Sequence, residues 1–232
     1  MNRYRTRLAA LPLALLLLLA LPQTGCGTSK TAQGAVIGAG TGAVVGGVIG
    51  RATGSTARGA IIGAAVGGTA GAIIGRQMEE QAEELDDDLE NATVETISDP
   101  ETGETAGIAI RFDNALLFDL NSANLRPGVR ADLADLASSL RTYDNHDAVI
   151  VGHASTDGPA DYNQDLSERR AAAVEDYLAS LGVASYRLQS YGRGESEPLA
   201  GIPGTSPDNR RVEIAIYANE EYRQNLQNEY GN

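Results

Sequence analysis

The C-terminal half of the sequence predicts an α/β (α+β) sandwich in which two main helices pack on a mixed sheet. From about residue 92, short runs rich in β-branched residues alternate with amphipathic helical stretches, an order that places helices against a sheet. The runs at residues 93–97 and 107–112 flank the turn-rich string SDPETGET, which is typical of a β-hairpin. Aromatic residues make up 5% of the chain and Trp is absent, so the core must be mostly aliphatic.

The later elements follow from hydrophobic periodicity. A helix that begins near Pro127 is predicted from an apolar stripe of Leu133, Leu136, Ala137 and Leu140. Residues 147–154 are a predicted buried strand, and residues 167–183 a second helix that ends at Gly182. Strands are also predicted at 187–192 and 211–218, with a Gly/Pro-rich loop at 193–208 between them. The polar residues 219–232 are expected to form a loose tail.

Charge and composition exclude several classes of protein. The net charge is −13, and residues 1–77 contain no Asp or Glu, so the remaining residues carry all 31 acids. That acidic part would repel nucleic-acid phosphates, so no nucleic-acid partner is expected. One Cys excludes an intramolecular disulfide or a Cys-cluster metal site, and two His leave little for a His-ligated metal. We therefore expect no metal, no cofactor and no enzymatic activity.

The N-terminus predicts export. Three arginines precede an apolar stretch at residues 8–21, which is too short for a membrane span and suits a signal peptide. The following string LPQTGC, residues 21–26, resembles a bacterial lipoprotein signal. That resemblance implies cleavage after residue 25, lipidation of Cys26 by palmitate-type chains, and a short linker at 26–33. Gln23 stands where such signals usually have Leu, and Gly27 is compatible with transport to the outer membrane. An ordinary buried Cys26 is the alternative.

A glycine-rich segment at residues 34–76 is internally duplicated. Residues 34–51 read GAVIGAGTGAVVGGVIGR and residues 59–76 read GAIIGAAVGGTAGAIIGR, at a period of 25. Glycine recurs at every fourth position, which on a helix forms a groove that admits another backbone. We expect a glycine-zipper helical hairpin with a turn at 51–58 rather than a flexible linker. Such a hairpin would insert partly, span the membrane or self-associate into a homo-oligomer. The acidic run 79–90 within 77–105 is expected to be a solvated helix or a spacer before the hairpin strands.

Three strings in the C-terminal half carry a family resemblance. They are LLFDLNSANLRP at 116–127, GHASTDGPADYNQDLSERRAAAV at 152–174 and DNRRVEI at 208–214. Residues 106–218 thereby resemble the OmpA-like C-terminal domain, which binds peptidoglycan noncovalently. The resemblance implies a diaminopimelate-type stem peptide as the ligand. The free end of that peptide carries an ammonium and a carboxylate on one carbon, so its receptor needs an anion close to a guanidinium.

The family resemblance also assigns site residues. Its carboxylate-binding Arg falls on Arg170, whereas Arg169 is expected to be a surface charge. The family's ammonium-binding Asp falls on Ser155, and we expect Asp157 to replace it by a different loop path; otherwise Ser155 supplies a weaker hydrogen bond. Asn209 and Arg210 receive supporting roles.

Other residues near this site have two interpretations. Arg210 and Arg211 could instead pair with acids and fix the last strand. His153 is expected to be a packing residue. Phe118 and Asn121 lie in a second loop of the site, where packing and turn roles are equally open.

These features predict a tether. A lipid at Cys26 would hold the outer membrane and the C-terminal domain, in the periplasm, would hold peptidoglycan. The alternative is a membrane-active glycine-zipper oligomer, a scaffold or pore, with secondary wall binding. A wall hydrolase that uses Asp157 or Ser155 is disfavoured, because the sequence shows no acid to orient His153 as a base.

Overall fold

Residues 55–230 are described by the computed structural model, and they form a five-stranded mixed sheet with helices on both faces. The strands are β1 (Ala92–Ser98), β2 (Thr105–Asp113), β3 (His146–Gly152), β4 (Leu188–Gly192) and β5 (Arg211–Ala218). Their spatial order is β1-β2-β5-β3-β4. Only β3 and β4 pair in parallel, and the other neighbours are antiparallel. The predicted fold class and the hairpin of β1 and β2 are confirmed.

The helices of the described residues are α1 (Thr56–Gly63), α2 (Gly68–Asp88), the single turn α3 (Asn114–Leu117), α4 (Arg130–Thr142), α5 (Ala160–Ser180) and α6 (Glu220–Tyr230). Helices α2, α4, α5 and α6 bury their apolar side chains against one face of the sheet. Helix α1 packs on the opposite face. Strand β3 shows the division, because Ala148 and Ile150 point to the first face and Val149 and Val151 to the second.

The second glycine-zipper repeat differs from the single helical arm that the sequence predicts. It is split between α1 and α2, which lie on opposite faces of the sheet. The break falls at Gly67 and Gly68, and Gly68 adopts a φ of 73°, a left-handed conformation that glycine tolerates at little cost. Within residues 55–230, no helix combines the length and apolar composition needed to cross a membrane. The first repeat, at 34–51, lies outside the described residues.

The acidic run belongs to the folded domain rather than to a spacer. It is the second half of α2, and its charged residues face solvent. The opposite side of the helix buries Met78, Ala82 and Leu85 in the core. Gln81 is also buried, where its amide donates to Ser139 Oγ at 2.9 Å and its oxygen contacts His146 Nδ1 at 2.7 Å. One apolar stripe at helical spacing is enough to fix this helix on the sheet.

The C-terminal segment is also more ordered than the loose tail expected from its polar composition. It forms α6, in which Leu226 is buried and Tyr222 packs against the same core cluster. Tyr222 donates its hydroxyl hydrogen to Gln77 Oε1 of α2 at 2.8 Å. Tyr222 and Leu226 are four residues apart and therefore share one face of the helix. This short apolar face is hard to recognise in the sequence because polar residues surround it.

Two glycines bring α5 down onto the sheet and so position its side chains. Gly152 and Gly192 are register partners at the ends of the parallel strands. A Cβ on Gly152 would lie 2.3 Å from Ser167 O, and one on Gly192 would lie 2.5 Å from Glu168 N. The backbone of α5 thus occupies the space that side chains at these two positions would take, and Arg170 follows Ser167 by one turn of α5.

Candidate functional site

The candidate site lies where β3 ends and α5 begins. Residues 153–159 connect these elements, and backbone hydrogen bonds fix the connection at two points. Ala154 N donates to Gly194 O at 2.7 Å, and Thr156 N donates to Gly204 O at 2.9 Å. Helix α5 starts at Ala160, seven residues before the predicted start, because Pro159 precedes it in an extended conformation and polar residues form its first turns. The site loop is therefore shorter than the sequence suggests.

Arg170 is buried without a carboxylate partner. Its side chain is 6% exposed, its Nε donates to Ser122 O at 2.9 Å, and its guanidinium stands 5.3 Å from the centre of the Phe118 ring. Among residues 55–230, no Asp or Glu forms an ion pair with it. Burial lowers its pKa, as do Arg210 and Arg169, while Tyr162 opposes them; a guanidinium nevertheless stays charged. Its terminal nitrogens are donors without a protein acceptor in the described part of the chain.

Asp157 and Ser155 lie together in the loop. Ser155 Oγ donates to Asp157 Oδ2 at 3.1 Å. Arg210 reaches both, with Nη1 at 3.5 Å from Asp157 Oδ2 and 3.4 Å from Ser155 Oγ. The Asp157 side chain remains 59% exposed, so its second carboxylate oxygen is accessible to a ligand. The structure thus places Asp157 beside Ser155, with Arg210 near both.

Asn163 organises this loop and was missed as a site residue from the sequence. Its side-chain amide is buried and donates to Ser155 O at 3.1 Å, Asp157 O at 3.2 Å and Glu195 Oε2 at 2.8 Å. Two amide hydrogens shared among three acceptors hold the loop against the first turns of α5. The signal available in the sequence was a polar residue at the start of a helix, where an amide can bond to nearby backbone.

Asn209 shapes a different loop. Its Oδ1 accepts from Leu199 N at 2.8 Å, and its Nδ2 donates to Pro203 O at 2.8 Å and Gly204 O at 3.1 Å. The side chain is 1% exposed and both of its amide hydrogens are used within the protein. Because Gly204 O also accepts from Thr156 N, Asn209 acts on the site through the loop rather than by direct contact.

Arg210, which precedes β5, and Arg211, the first residue of β5, take the two roles that the sequence left open. Arg210 contacts Asp157 in the site, whereas Arg211 is buried and donates from Nε to Glu213 Oε1 at 2.7 Å and from Nη2 to Glu197 O at 3.1 Å. Burial works to raise the pKa of Glu213, but the adjacent His153 ring and the Arg211 guanidinium lower it overall. These bonds of Arg211 lie within the protein and fix β5.

The remaining candidates take structural positions. His153 is fully buried 3.8 Å from Glu213, and burial lowers its pKa to about 3, so it is neutral and packs as expected. Phe118 lies beneath the Arg170 guanidinium. Asn121 has a φ of 56° and makes a turn. Arg169 forms an exposed ion pair with Asp165 at 2.9 Å, as expected for a surface charge.

The fold and the site define a mixed α/β domain of the OmpA-like class. Residues 117–212 match the OmpA family and residues 5–79 match the YMGG-like Gly-zipper. The chain therefore carries an OmpA-like domain that is preceded by a glycine-zipper segment.

Similar proteins include outer membrane proteins and cell-envelope domains. The chain is 39% identical over 115 residues to outer membrane protein A of Escherichia fergusonii, covering 44% of this chain and 47% of that protein. It is 36% identical over 98 residues to the peptidoglycan-associated lipoprotein of Mesorhizobium japonicum, covering 42% and 58%. It therefore spans about half the length of these relatives. The solved structure of the cell wall anchor of the T6SS from Pseudomonas aeruginosa shares 27% identity, with 60% and 96% coverage and a TM-score of 0.50.

Proposed function

We propose that this protein binds peptidoglycan noncovalently and tethers the outer membrane to the cell wall. The observation that carries the proposal is Arg170, a buried guanidinium whose terminal donors have no acceptor within residues 55–230. Its terminal nitrogens are not among the buried atoms that lack a partner, so they are open to solvent, and an external carboxylate would accept from them in the bidentate geometry that Arg favours. The names of two similar proteins, a peptidoglycan-associated lipoprotein and a cell wall anchor, support the same ligand class.

The proposed ligand is the free end of a diaminopimelate-type stem peptide. Arg170 binds its carboxylate, and Asp157 binds its ammonium. Asp157 takes the second role because its carboxylate reaches within 3.1 Å of Ser155 Oγ and keeps an exposed oxygen. Arg210 helps to orient that carboxylate, because its Nη1 lies 3.5 Å from the same Oδ2 atom. Each charged hydrogen bond contributes about 1.5–3 kcal/mol, so the loss of either partner weakens binding by roughly tenfold or more.

The test is a pull-down of the mature chain, residues 26–232, by purified peptidoglycan sacculi. Arg170→Gln and Asp157→Asn are each expected to lower the affinity at least about tenfold. Arg169→Gln is the matched control, because it removes the neighbouring charge of the same helix from an exposed pair, and it should bind like wild type. Unchanged binding by Arg170→Gln in a folded protein would refute the proposal.

A separate experiment tests whether Asp157 or Ser155 binds the ammonium. Ser155→Asp in the Asp157→Asn background returns a carboxylate to the neighbouring position, so it should restore binding. Competition by free peptides distinguishes the stem-peptide chemistry: a peptide that ends in diaminopimelate should compete with sacculi, and one with Lys at that position lacks the carboxylate for Arg170 and should not. Equal competition by both peptides would assign the site to another part of the wall.

Membrane attachment is proposed through lipid on Cys26, which lies outside the described residues. Several acyl chains hold a protein stably at a membrane, because each buried CH₂ contributes about 0.8 kcal/mol. Cys26→Ser should therefore move the protein from the outer-membrane fraction to the soluble periplasmic fraction, and mass spectrometry should show the loss of the acyl groups. Retention of Cys26→Ser in the membrane fraction would assign attachment to another segment.

A further inference from the structure

Helix α1 packs in an apolar groove on the second face of the sheet, and we call this groove the seat. Ala57 and Ile61 are fully buried there, among Ile97, Ala106, Val149, Val151 and Ala215. Gly107 leaves room for the Ile61 side chain, because a Cβ at position 107 would lie 2.8 Å from Ile61 Cγ2. The seat therefore accepts a short helix with a small residue and an aliphatic residue four positions apart.

Polar groups fix the N-terminus of α1 in the seat. Thr56 donates to Glu197 from both its backbone N, at 2.9 Å, and its Oγ1, at 2.6 Å. Arg193 Nε donates to Thr56 Oγ1 at 2.8 Å. One residue earlier, Ser55 Oγ donates to the buried Glu213 at 2.8 Å. Threonine at the first helical position and a hydrogen-bond donor before it are thus part of what the seat recognises.

The sequence that fills the seat occurs twice in the chain. Helix α1 reads TARGAIIG, and residues 31–38 read TAQGAVIG. Thr31, Ala32 and Gly34 repeat the residues that contact the seat. Val36 replaces Ile61 with one methylene fewer, and Gln33 replaces Arg58, whose exposed pair with Glu95 contributes little. Lys30 stands where Ser55 stands, and its ammonium is complementary to the Glu213 carboxylate.

We propose that residues 31–38 of the same chain are a second ligand for this seat and exchange with α1 on it. The 29 residues 39–67 that would then connect the seat to α2 span up to about 100 Å when extended, so reach does not prevent the exchange. The missing methylene makes residues 31–38 the weaker ligand, which agrees with α1 as the resident helix.

The exchange would change the length of the tether, a consequence that rests on the proposed lipidation of Cys26. With α1 seated, the 29 residues 27–55 separate the lipid from the seat, whereas only residues 27–30 do so with residues 31–38 seated. The fully extended reach falls from about 100 Å to about 14 Å. With residues 31–38 in the seat the wall-binding site would be held near the membrane, and with α1 in the seat it could lie further away.

The exchange is tested on the soluble chain 26–232 with Cys26→Ser, so that it depends on neither lipid nor peptidoglycan. Hydrogen exchange is read by mass spectrometry on peptides that cover 31–38 and 56–63. Ile61→Val with Val36→Ile reverses the preference, and it should slow exchange at 31–38 and accelerate it at 56–63, each at least threefold. The matched control is Ile61→Val with Val45→Ile, which places the same methylene outside residues 31–38 and should slow exchange at 31–38 clearly less than Ile61→Val with Val36→Ile does.

A stronger perturbation gives a second readout. Ile61→Asp should expel α1, slow exchange at 31–38 at least tenfold, and leave binding of a hydrophobic dye low, because the seat is refilled. Ile61→Asp with Val36→Asp should raise dye binding severalfold. Equal dye binding by the single and double variants, with unchanged exchange at 31–38, would overturn the proposal. Protection at 31–38 that increases with protein concentration would also overturn it, by assigning the seat to a second copy of the chain. Sacculus binding by these variants reports on the proposed function separately.

Discussion

Two buried arginines show how a single residue is assigned to stability or to binding. Arg187 is 5% exposed and donates to three backbone carbonyls, those of Leu140, Tyr143 and His146. Arg170 is equally buried but donates to one carbonyl only. A guanidinium has five N–H donors, so Arg187 is nearly satisfied by the protein while Arg170 is not. The sequence separates them only through the family resemblance, because hydrogen-bond satisfaction depends on residues far away along the chain.

The two histidines make stability depend on pH. Burial, and then Arg187, lower the pKa of His146 to about 4, and burial, then Arg211, lower the pKa of His153 to about 3. The unfolded chain binds these protons near pH 6.5, so the free energy of unfolding falls as the pH decreases from about 6.5 to about 4. Burial raises the pKa of Asp147 to about 6; this group opposes the trend, because the folded state binds its proton first.

His146→Asn isolates one of these contributions. The Asn amide can still donate to Gln81 Oε1, as His146 Nδ1 does, but it does not titrate. The loss of unfolding free energy between pH 7 and pH 5 should therefore be smaller in the variant by about 2 kcal/mol. Urea denaturation at the two pH values measures this difference. An unchanged pH dependence would show that His146 is already protonated in the folded protein or titrates normally there.

At the scale of elements, local patterns predicted the strands and their turns well. The hairpin, the stripe of α4 and the C-terminal end of α5 at Gly182 all follow from short-range signals, and the structure confirms them. The polar first turns of α5 and the whole of α6 were missed, because few apolar residues mark them. The sequence did not indicate that the second glycine-zipper repeat packs on the sheet. A small-residue stripe suits a membrane helix and a sheet face equally, and only the distant strands decide between them.

The glycines of α2 provide a test of this packing. A Cβ on Gly71 would lie 2.0 Å from Val66 O, whereas one on Gly75 would lie 3.1 Å from Thr105 O. Gly71→Ala should lower the free energy of unfolding of the soluble protein by about 1–3 kcal/mol, and Gly75→Ala should lower it less. The exposed Ala72→Ser on the same helix is the control. If Gly71 served only a membrane or oligomer contact, Gly71→Ala would instead stabilise the helix by up to about 1 kcal/mol.

At the scale of the whole molecule, the folded unit extends beyond the family match. The match begins at residue 117. The β1–β2 hairpin precedes it and supplies two of the five strands, and α1 and α2 also precede it and pack on opposite faces of the sheet. The domain boundary expected at residue 106 therefore cuts through β2. The boundary at 106 followed the extent of the family resemblance. Helix α2 was left out of the domain because it combines an acidic solvent face with a buried apolar face.

Two fragments distinguish these boundaries. Residues 55–232 should unfold in one cooperative transition with little dye binding. Residues 92–232 lose α1 and α2, which exposes Ile108, Ile110 and Phe112 on one face and Val149 and Val151 on the other. That fragment should bind a hydrophobic dye strongly and unfold with a lower midpoint or aggregate. Equal thermal midpoints for the two fragments would show that the helices contribute nothing to the stability of the sheet.

The place of β5 in the sheet has a consequence for folding. It is the last strand in chain order but the middle one in space, between β2 and β3. Until residues 211–218 are available, the N-terminal hairpin and the parallel pair have no strand to join them. Sheet closure thus depends on long-range pairing, which slows folding. A chain that emerges N-terminus first would keep both strand edges open until it is nearly complete, and that is the interval in which it is most exposed to aggregation.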